Sequence, residues 1–224
     1  MELNLTGEAL RVLGALIEKE RTTPEYYPLS LNALTNACNQ KSNRDPVMSL
    51  SEADVMRALE GLRGAGLAMQ SADGGRVTKY AHNLIGKLQL DIAETSLLAE
   101  LLLRGPQTAG ELRGRAERMH HFADAGEIEA ALLHLAEREP PLVVRLARQP
   151  GRKESRYQHL LGAPTSGDEA HSMEPSPPPV APRSPGAPRS DDRVARLEEE
   201  VVALRGEVER LWKVLQSLSL PPEE

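Results

Sequence analysis

The stretch from Leu29 to His82 constrains this chain more than any other. It runs LSLNALTNACNQ, KSNRDPVMSL, SEADVMRALEGLRGAGLAMQ and SADGGRVTKYAHN. Its spacing predicts a short helix from about Ser30, with Leu31, Leu34 and Cys38 on one side. A polar loop over Lys41 to Leu50 follows, then a longer helix opened by a capping box between Ser51 and Asp54. Val55, Leu59 and Leu62 face its core, while Asp54, Arg57, Glu60 and Arg63 face outward, and Gly64 or Gly66 stops it. Leu67 to Ser71 and Arg76 to His82 read as strands, with Asp73-Gly74-Gly75 supplying the positive-φ hairpin turn.

Helix, turn, helix and hairpin in that order describe a winged helix-turn-helix, a module used mostly on DNA and sometimes on proteins. A further helix precedes it. Thr6 to Glu20 repeats Leu10, Leu13, Leu16 and Ile17 on one stripe, with Thr6 as cap and Pro24 beyond the end. The plan then recurs. Ile92 to Arg104 is a Leu-rich helix ending before Gly105-Pro106; Thr108 and Glu111 cap a second, with Leu112, Ala116 and Met119 inside. Glu127 to Glu139 is a third, its core face Ile128, Ala131, Leu132 and Leu135. Leu142 to Leu146 and Ser155 to Leu160 form a hairpin around Pro150-Gly151. The expected architecture is mainly α with small β-hairpins (α+β): two tandem winged helix-turn-helix domains over residues 1–85 and 90–162. A single fused helical domain is the alternative, but it leaves both hairpins unexplained.

Beyond residue 162 the composition changes. Pro164, Pro175, Pro177, Pro178, Pro179, Pro182, Pro185 and Pro188 stand among Ser, Gly and Ala, so residues 163–192 read as a disordered Pro-rich linker. In residues 193–219, Val194, Leu197, Val201, Leu204, Val208, Leu211, Leu215 and Leu218 alternate spacings of three and four. Val predominates at heptad position a and Leu fills every d, which favours a parallel two-stranded coiled coil and hence a homodimer. Arg193 meets Glu198 and Glu200 meets Arg205 across such a seam. A flexible ~30-residue tether puts its ends roughly 30 Å apart, so this dimerisation raises local concentration without fixing half-site spacing.

The charge of -6 is unevenly placed. Residues 1–163 hold 20 Lys+Arg against 21 Asp+Glu, so the acidity belongs to the tail. The lone cysteine, Cys38, excludes an intramolecular disulfide and a Cys-rich metal site, and reads as a small core residue rather than a nucleophile. No apolar h-region follows the N-terminus and no run approaches the ~18 apolar residues of a membrane helix. A cytoplasmic protein without membrane contact is expected.

Four stretches carry a family resemblance: TTPEYYPLSLNALTNACNQKSNRDPVMSLSE (Thr22 to Glu52), RVTKYAH (Arg76 to His82), LLLRGPQTAGELRGRAERMH (Leu101 to His120) and VVRLARQPGRKESRYQHL (Val143 to Leu160). Together they resemble the YceH family of bacterial proteins, over roughly residues 3–161. The resemblance implies tandem winged helices and a cytoplasmic bacterial origin. It supplies no catalytic or ligand residues.

Enzymatic chemistry finds no footing in the sequence. The zincin, P-loop, dinucleotide and nucleophile-elbow motifs are absent, and no cofactor or metal is expected. Adjacent His120 and His121 point about 100° apart on a helix, which is poor geometry for joint ligation. The tyrosines Tyr26, Tyr27, Tyr80 and Tyr157 fit core or interdomain packing better than base stacking. Double-stranded DNA is the leading expected partner. The first module offers Lys41, Asn43 and Arg44 before its third helix, Arg57 on it, and Arg76 and Lys79 on its wing, opposed by Glu52, Asp54 and Glu60; Arg57, Asn43 and Arg44 are the base-reading candidates. The second offers Arg145, Arg148, Arg152, Lys153 and Arg156 on its wing, opposed only by Glu154, and Arg113, Arg115 and Arg118 on its middle helix. The alternative is an adaptor that binds protein partners through near-neutral winged helices.

Overall fold

The computed structural model describes residues 3–71, 77–149 and 154–162. Among these residues the chain is α+β, with seven α-helices and two three-stranded antiparallel sheets. Helix α1 (Gly7–Thr22) starts at Thr6, whose hydroxyl accepts from the Ala9 amide at 3.3 Å. Strand β1 (Leu29–Ser30) runs straight into α2 (Leu31–Cys38), with Ser30 as its cap. The capping box of Ser51 and Asp54 opens α3 (Glu52–Gly64), and Gly66 follows its end at φ +75°. Strands β2 (Ala68–Gln70) and β3 (Lys79–His82) complete the first copy.

A five-residue helix, α4 (Leu84–Leu88), connects to the second copy. There α5 (Ile92–Arg104) is capped by Asp91 and Glu94, and Gly105 follows it at φ +72°. Strand β4 (Gln107–Thr108) leads into α6 (Ala109–Ala116) through the Thr108–Glu111 capping box. Helix α7 (Ala125–Glu137) begins two residues ahead of the Glu127 expected, because Asp124 accepts from the Glu127 amide and caps it. Strands β5 (Val143–Arg145) and β6 (Arg156–His159) close the copy, each shorter than the Leu142 to Leu146 and Ser155 to Leu160 expected.

The two sheets have the same order and the same register. They run β1-β3-β2 and β4-β6-β5. Tyr80 lies opposite Leu29 and Gln70, as Tyr157 lies opposite Gln107 and Arg145. Lys79 pairs Ser30 as Arg156 pairs Thr108, and His82 pairs Ala68 as His159 pairs Val143. The segments KYAH and RYQH are therefore structural equivalents. Strands β1 and β4, and the connector α4, were not expected from the sequence. Two-residue strands are too short to show a period, and Ser30 and Thr108 announce only the helices they cap.

Both copies fall in one compact unit and share one continuous core. Helices α1 and α5 are buried along most of their length and pack antiparallel, Gly14 meeting Leu102 and Leu103. A Cβ at Gly14 would sit 2.9 Å from Leu103 Cγ, so glycine is what permits this approach. The N-terminal segment joins in: Leu5 N–H donates to Leu161 O at 2.8 Å. The Asp73-Gly74-Gly75 and Pro150-Gly151 turns, the 163–192 linker and the 193–219 heptads lie outside the described residues.

Candidate functional site

The loop between α2 and α3 carries two of the expected base readers, and both point inward. Arg44 is 4% exposed. Its guanidinium grips Glu18 of α1 with Nη1 donating to Oε1 at 3.0 Å and Nη2 to Oε2 at 2.5 Å. Its Nε and Nη2 also donate to Ala37 O at 3.2 and 2.8 Å. Asn43 takes the left-handed conformation at φ +53°, which asparagine tolerates, and its amide donates to both oxygens of Glu100 at 3.1 Å. Beyond α6, Arg118 reaches the same place, bonding Glu18 and, at 3.1 Å, Glu100. The result is a clasp between the copies: two wholly buried carboxylates, two arginines and an amide.

Burial alone would raise the Glu18 carboxyl, but the hydrogen bond and charge of Arg44, with those of Arg118, outweigh it and hold the group at about 2. Arg44 and Asn43 are thus corrected from base readers to internal fasteners. A guanidinium already bonded on several sides to protein has little left to offer a base edge. Glu18 and Glu100 were missed by the sequence reading. Their signal was there, as single acids on apolar faces: Glu18 follows Leu13, Leu16 and Ile17, and Glu100 interrupts a run of leucines.

The remaining cationic candidates are scattered. Arg57 is well exposed but pairs with Asp54 one turn back. Arg57 and Asp54 edge a cleft of about 550 Å³ between residues 3–9 and α3, floored by Leu5, Ala9 and Ala58. Lys41 and Lys79 are exposed, as are Arg145 and Arg148, while Arg156 is half-buried. Directly paired residues share a sheet face and successive ones alternate. Arg145 therefore shares a face with Tyr157, and Arg156 takes the other. This divides the cluster expected on the second wing. Arg76, Arg152 and Lys153 lie outside the described residues.

The outward faces of the two third helices are acidic. Helix α3 shows Glu52, Asp54 and Glu60 against Arg57 and Arg63. Helix α7 has no Lys or Arg; its exposed residues are Ala125, Gly126, Glu129, Ala130, Leu133, His134 and Glu137, with Leu133 56% exposed and His134 bonded to Glu94 of α5.

Elsewhere the adjacent histidines are each held by a local acid. His120 stands edge-on to Phe122 at 4.7 Å and meets Glu127 at 3.1 Å, and His121 bonds Glu117. Burial pushes the Cys38 thiol up to about 12, far from the thiolate a nucleophile needs. Among the described residues no group of His, Cys, Asp and Glu is arranged to hold a metal ion. Nor is any described helix long and apolar enough to cross a membrane.

A family described as "Protein of unknown function, DUF480" matches residues 5–152, which takes in the first copy and the second through β5. The chain belongs to this family. Members similar to it include a UPF0502 protein of Pelobacter propionicus, 59% identical over 215 residues and 96% of each chain. A UPF0502 protein of Geobacter metallireducens is 59% identical over 202 residues, or 90% of each. One from Citrifermentans bemidjiense is 51% identical over 221 residues, covering 97% of this chain and 98% of its own. The bacterial family membership agrees with the resemblance read from the motifs, and matches of this coverage extend beyond the described residues into the Pro-rich and heptad segments.

Proposed function

We propose that this DUF480 family member is a non-enzymatic cytoplasmic interaction protein. Each copy acts as a winged helix-turn-helix whose exposed helix face docks a protein, and the 193–219 heptads join two chains. The observation that carries this reading is the charge on α3 and α7. A helix in the major groove has phosphates along both flanks and gains its affinity from cations there. Helix α7 presents acids around an exposed leucine instead, and Gly126 and Ala130 leave room for close approach. Apolar centres with polar rims suit protein partners. The test is affinity purification of the full chain under nuclease treatment. A partner in fixed stoichiometry, lost on Leu133→Glu, supports the reading; no such partner, together with retention on duplex DNA, overturns it.

Exposed Arg145 and Arg148 favour a second reading, in which the chain is a DNA-associated regulator. A wing of this kind gives phosphate affinity with little sequence choice. It predicts duplex binding that weakens steeply with salt and drops when Arg148, Arg152 and Lys153 become Ala. The coil has its own check by light scattering. The full chain should be a dimer and a Leu204→Glu/Leu211→Glu variant a monomer; monomers in both remove it.

A further inference from the structure

Helix α4 is the connector between the copies, and it lacks an ordinary cap. Asn83 stands at its N-cap but makes no side-chain cap bond; its amide donates to Gly66 O at 3.2 Å instead. The acceptor for the first amide of α4 comes from one residue earlier, where Leu84 N–H donates to His82 Nδ1 at 3.2 Å. That contact fixes the tautomer. A backbone N–H has a hydrogen to give and none to receive, so Nδ1 presents a lone pair and the neutral ring carries its proton on Nε2. Nε2 lies 2.9 Å from Glu20 Oε2 on α1, and the backbone N–H of His82 donates to Tyr27 Oη at 2.7 Å. The ring is 2% exposed, so water cannot substitute for a lost partner.

We propose that His82 is a proton-sensitive latch on the connector between the two copies. A second proton adds at Nδ1 and sets two donors, imidazolium N–H and Leu84 N–H, against each other at 3.2 Å. The groups that face the ring decide which side gives. Glu20 holds the imidazolium from α1, with Arg21 beside it as the opposing charge, and Tyr27 faces the ring at a centroid distance of 6.3 Å. The carboxylate keeps the charged ring in place, so the α4 amide is the bond that breaks. Leu84 is wholly buried and Arg138 of the second copy bonds Leu88 O. Releasing the first turn of α4 therefore loosens a tie between the copies.

The equivalent His159 is an internal control. Its Nδ1 is buried with no partner, and burial lowers it to about 4, so its protonation has no helix amide to displace.

The experiment is NMR on the full chain between pH about 8 and about 5, the span in which imidazoles titrate. It follows the His82 ring and the exchange protection of the α4 amides. Protection at Leu84 should fall about tenfold or more as His82 takes up its proton. In His82→Asn, whose Oδ1 replaces Nδ1 as an acceptor that does not protonate, protection should stay flat. Glu20→Gln, which leaves the latch bond intact, should move the loss to lower pH. Protection that is unchanged through the His82 titration, that falls equally in His82→Asn, or a His82 ring that takes up no proton in this span, overturns the proposal. Where His82→Asn does not fold, the wild-type profile and the Glu20→Gln shift decide it.

Discussion

The two copies share a register and differ in what they do with it. Both place a Tyr and a His at the same positions of the returning strand, and both cap the helix after their first strand with a hydroxyl residue. In the first copy the histidine is bonded on both ring nitrogens; in the second its Nδ1 has no partner. Arg44 of the first copy is fully enclosed, while Arg118 of the second remains 41% exposed though it bonds two buried carboxylates. The backbone plan occurs twice, while the buried polar groups meet at one seam between α1 and α5. Within the exposed turn between α2 and α3, Asn43 and Arg44 serve as internal fasteners. That is why the outward surface, rather than the fold, decides the function.

Perturbing the clasp should have the largest effect. Arg44→Ala leaves Glu18 buried with only the half-exposed Arg118, and should cost about 3–5 kcal/mol in urea unfolding. Arg118→Ala should cost less, because water reaches that side. Equal losses would break the asymmetry between the copies.

Acid comes next. Glu18 is held at about 2 when folded against an ordinary 4.5. Its contribution is therefore complete above pH about 4.5 and is lost as pH falls toward 2. Unfolding midpoints should decline through that window in wild type and lose this component in Glu18→Gln/Arg44→Met. His159 adds a decline at higher pH, between about 6.5 and 4, because burial disfavours its charged form.

The histidines sharpen the comparison directly. His82→Leu strands the Leu84 amide and removes one donor to Glu20, and should cost about 1–3 kcal/mol. His159→Leu removes a buried imidazole with an idle Nδ1 and should cost much less or stabilise. The smallest effect is expected at Arg57→Ala, within about 0.5 kcal/mol, since its pair with Asp54 is largely solvated.

Much of the fold was legible because its signals are local. Thr6, Ser51 with Asp54, and Thr108 with Glu111 each cap the helix their spacing announced. Leu-rich periodicity marked α1 and α5. What escaped notice was set by contacts distant in sequence. Nothing near Arg44 tells that Glu18 waits 26 residues away, or that Asn43 and Arg118 meet at Glu100. Basic residues flanking a helix-turn-helix invite a phosphate reading, and only burial separates a groove contact from a fastener. The divided second wing teaches the same lesson: Arg145 and Arg156 cluster by number, yet pleat and register place them on opposite faces.

Helix faces that dock protein, as proposed for α3 and α7, do not read a groove. Fluorescence anisotropy of the full chain against a pool of random duplexes, at about 50 and about 150 mM salt, tests it most directly. At most weak wing-borne binding is expected, vanishing at the higher salt, selecting no sequence and unchanged in Arg57→Ala. Sequence-selective binding that survives the higher salt and falls in Arg57→Ala would contradict it.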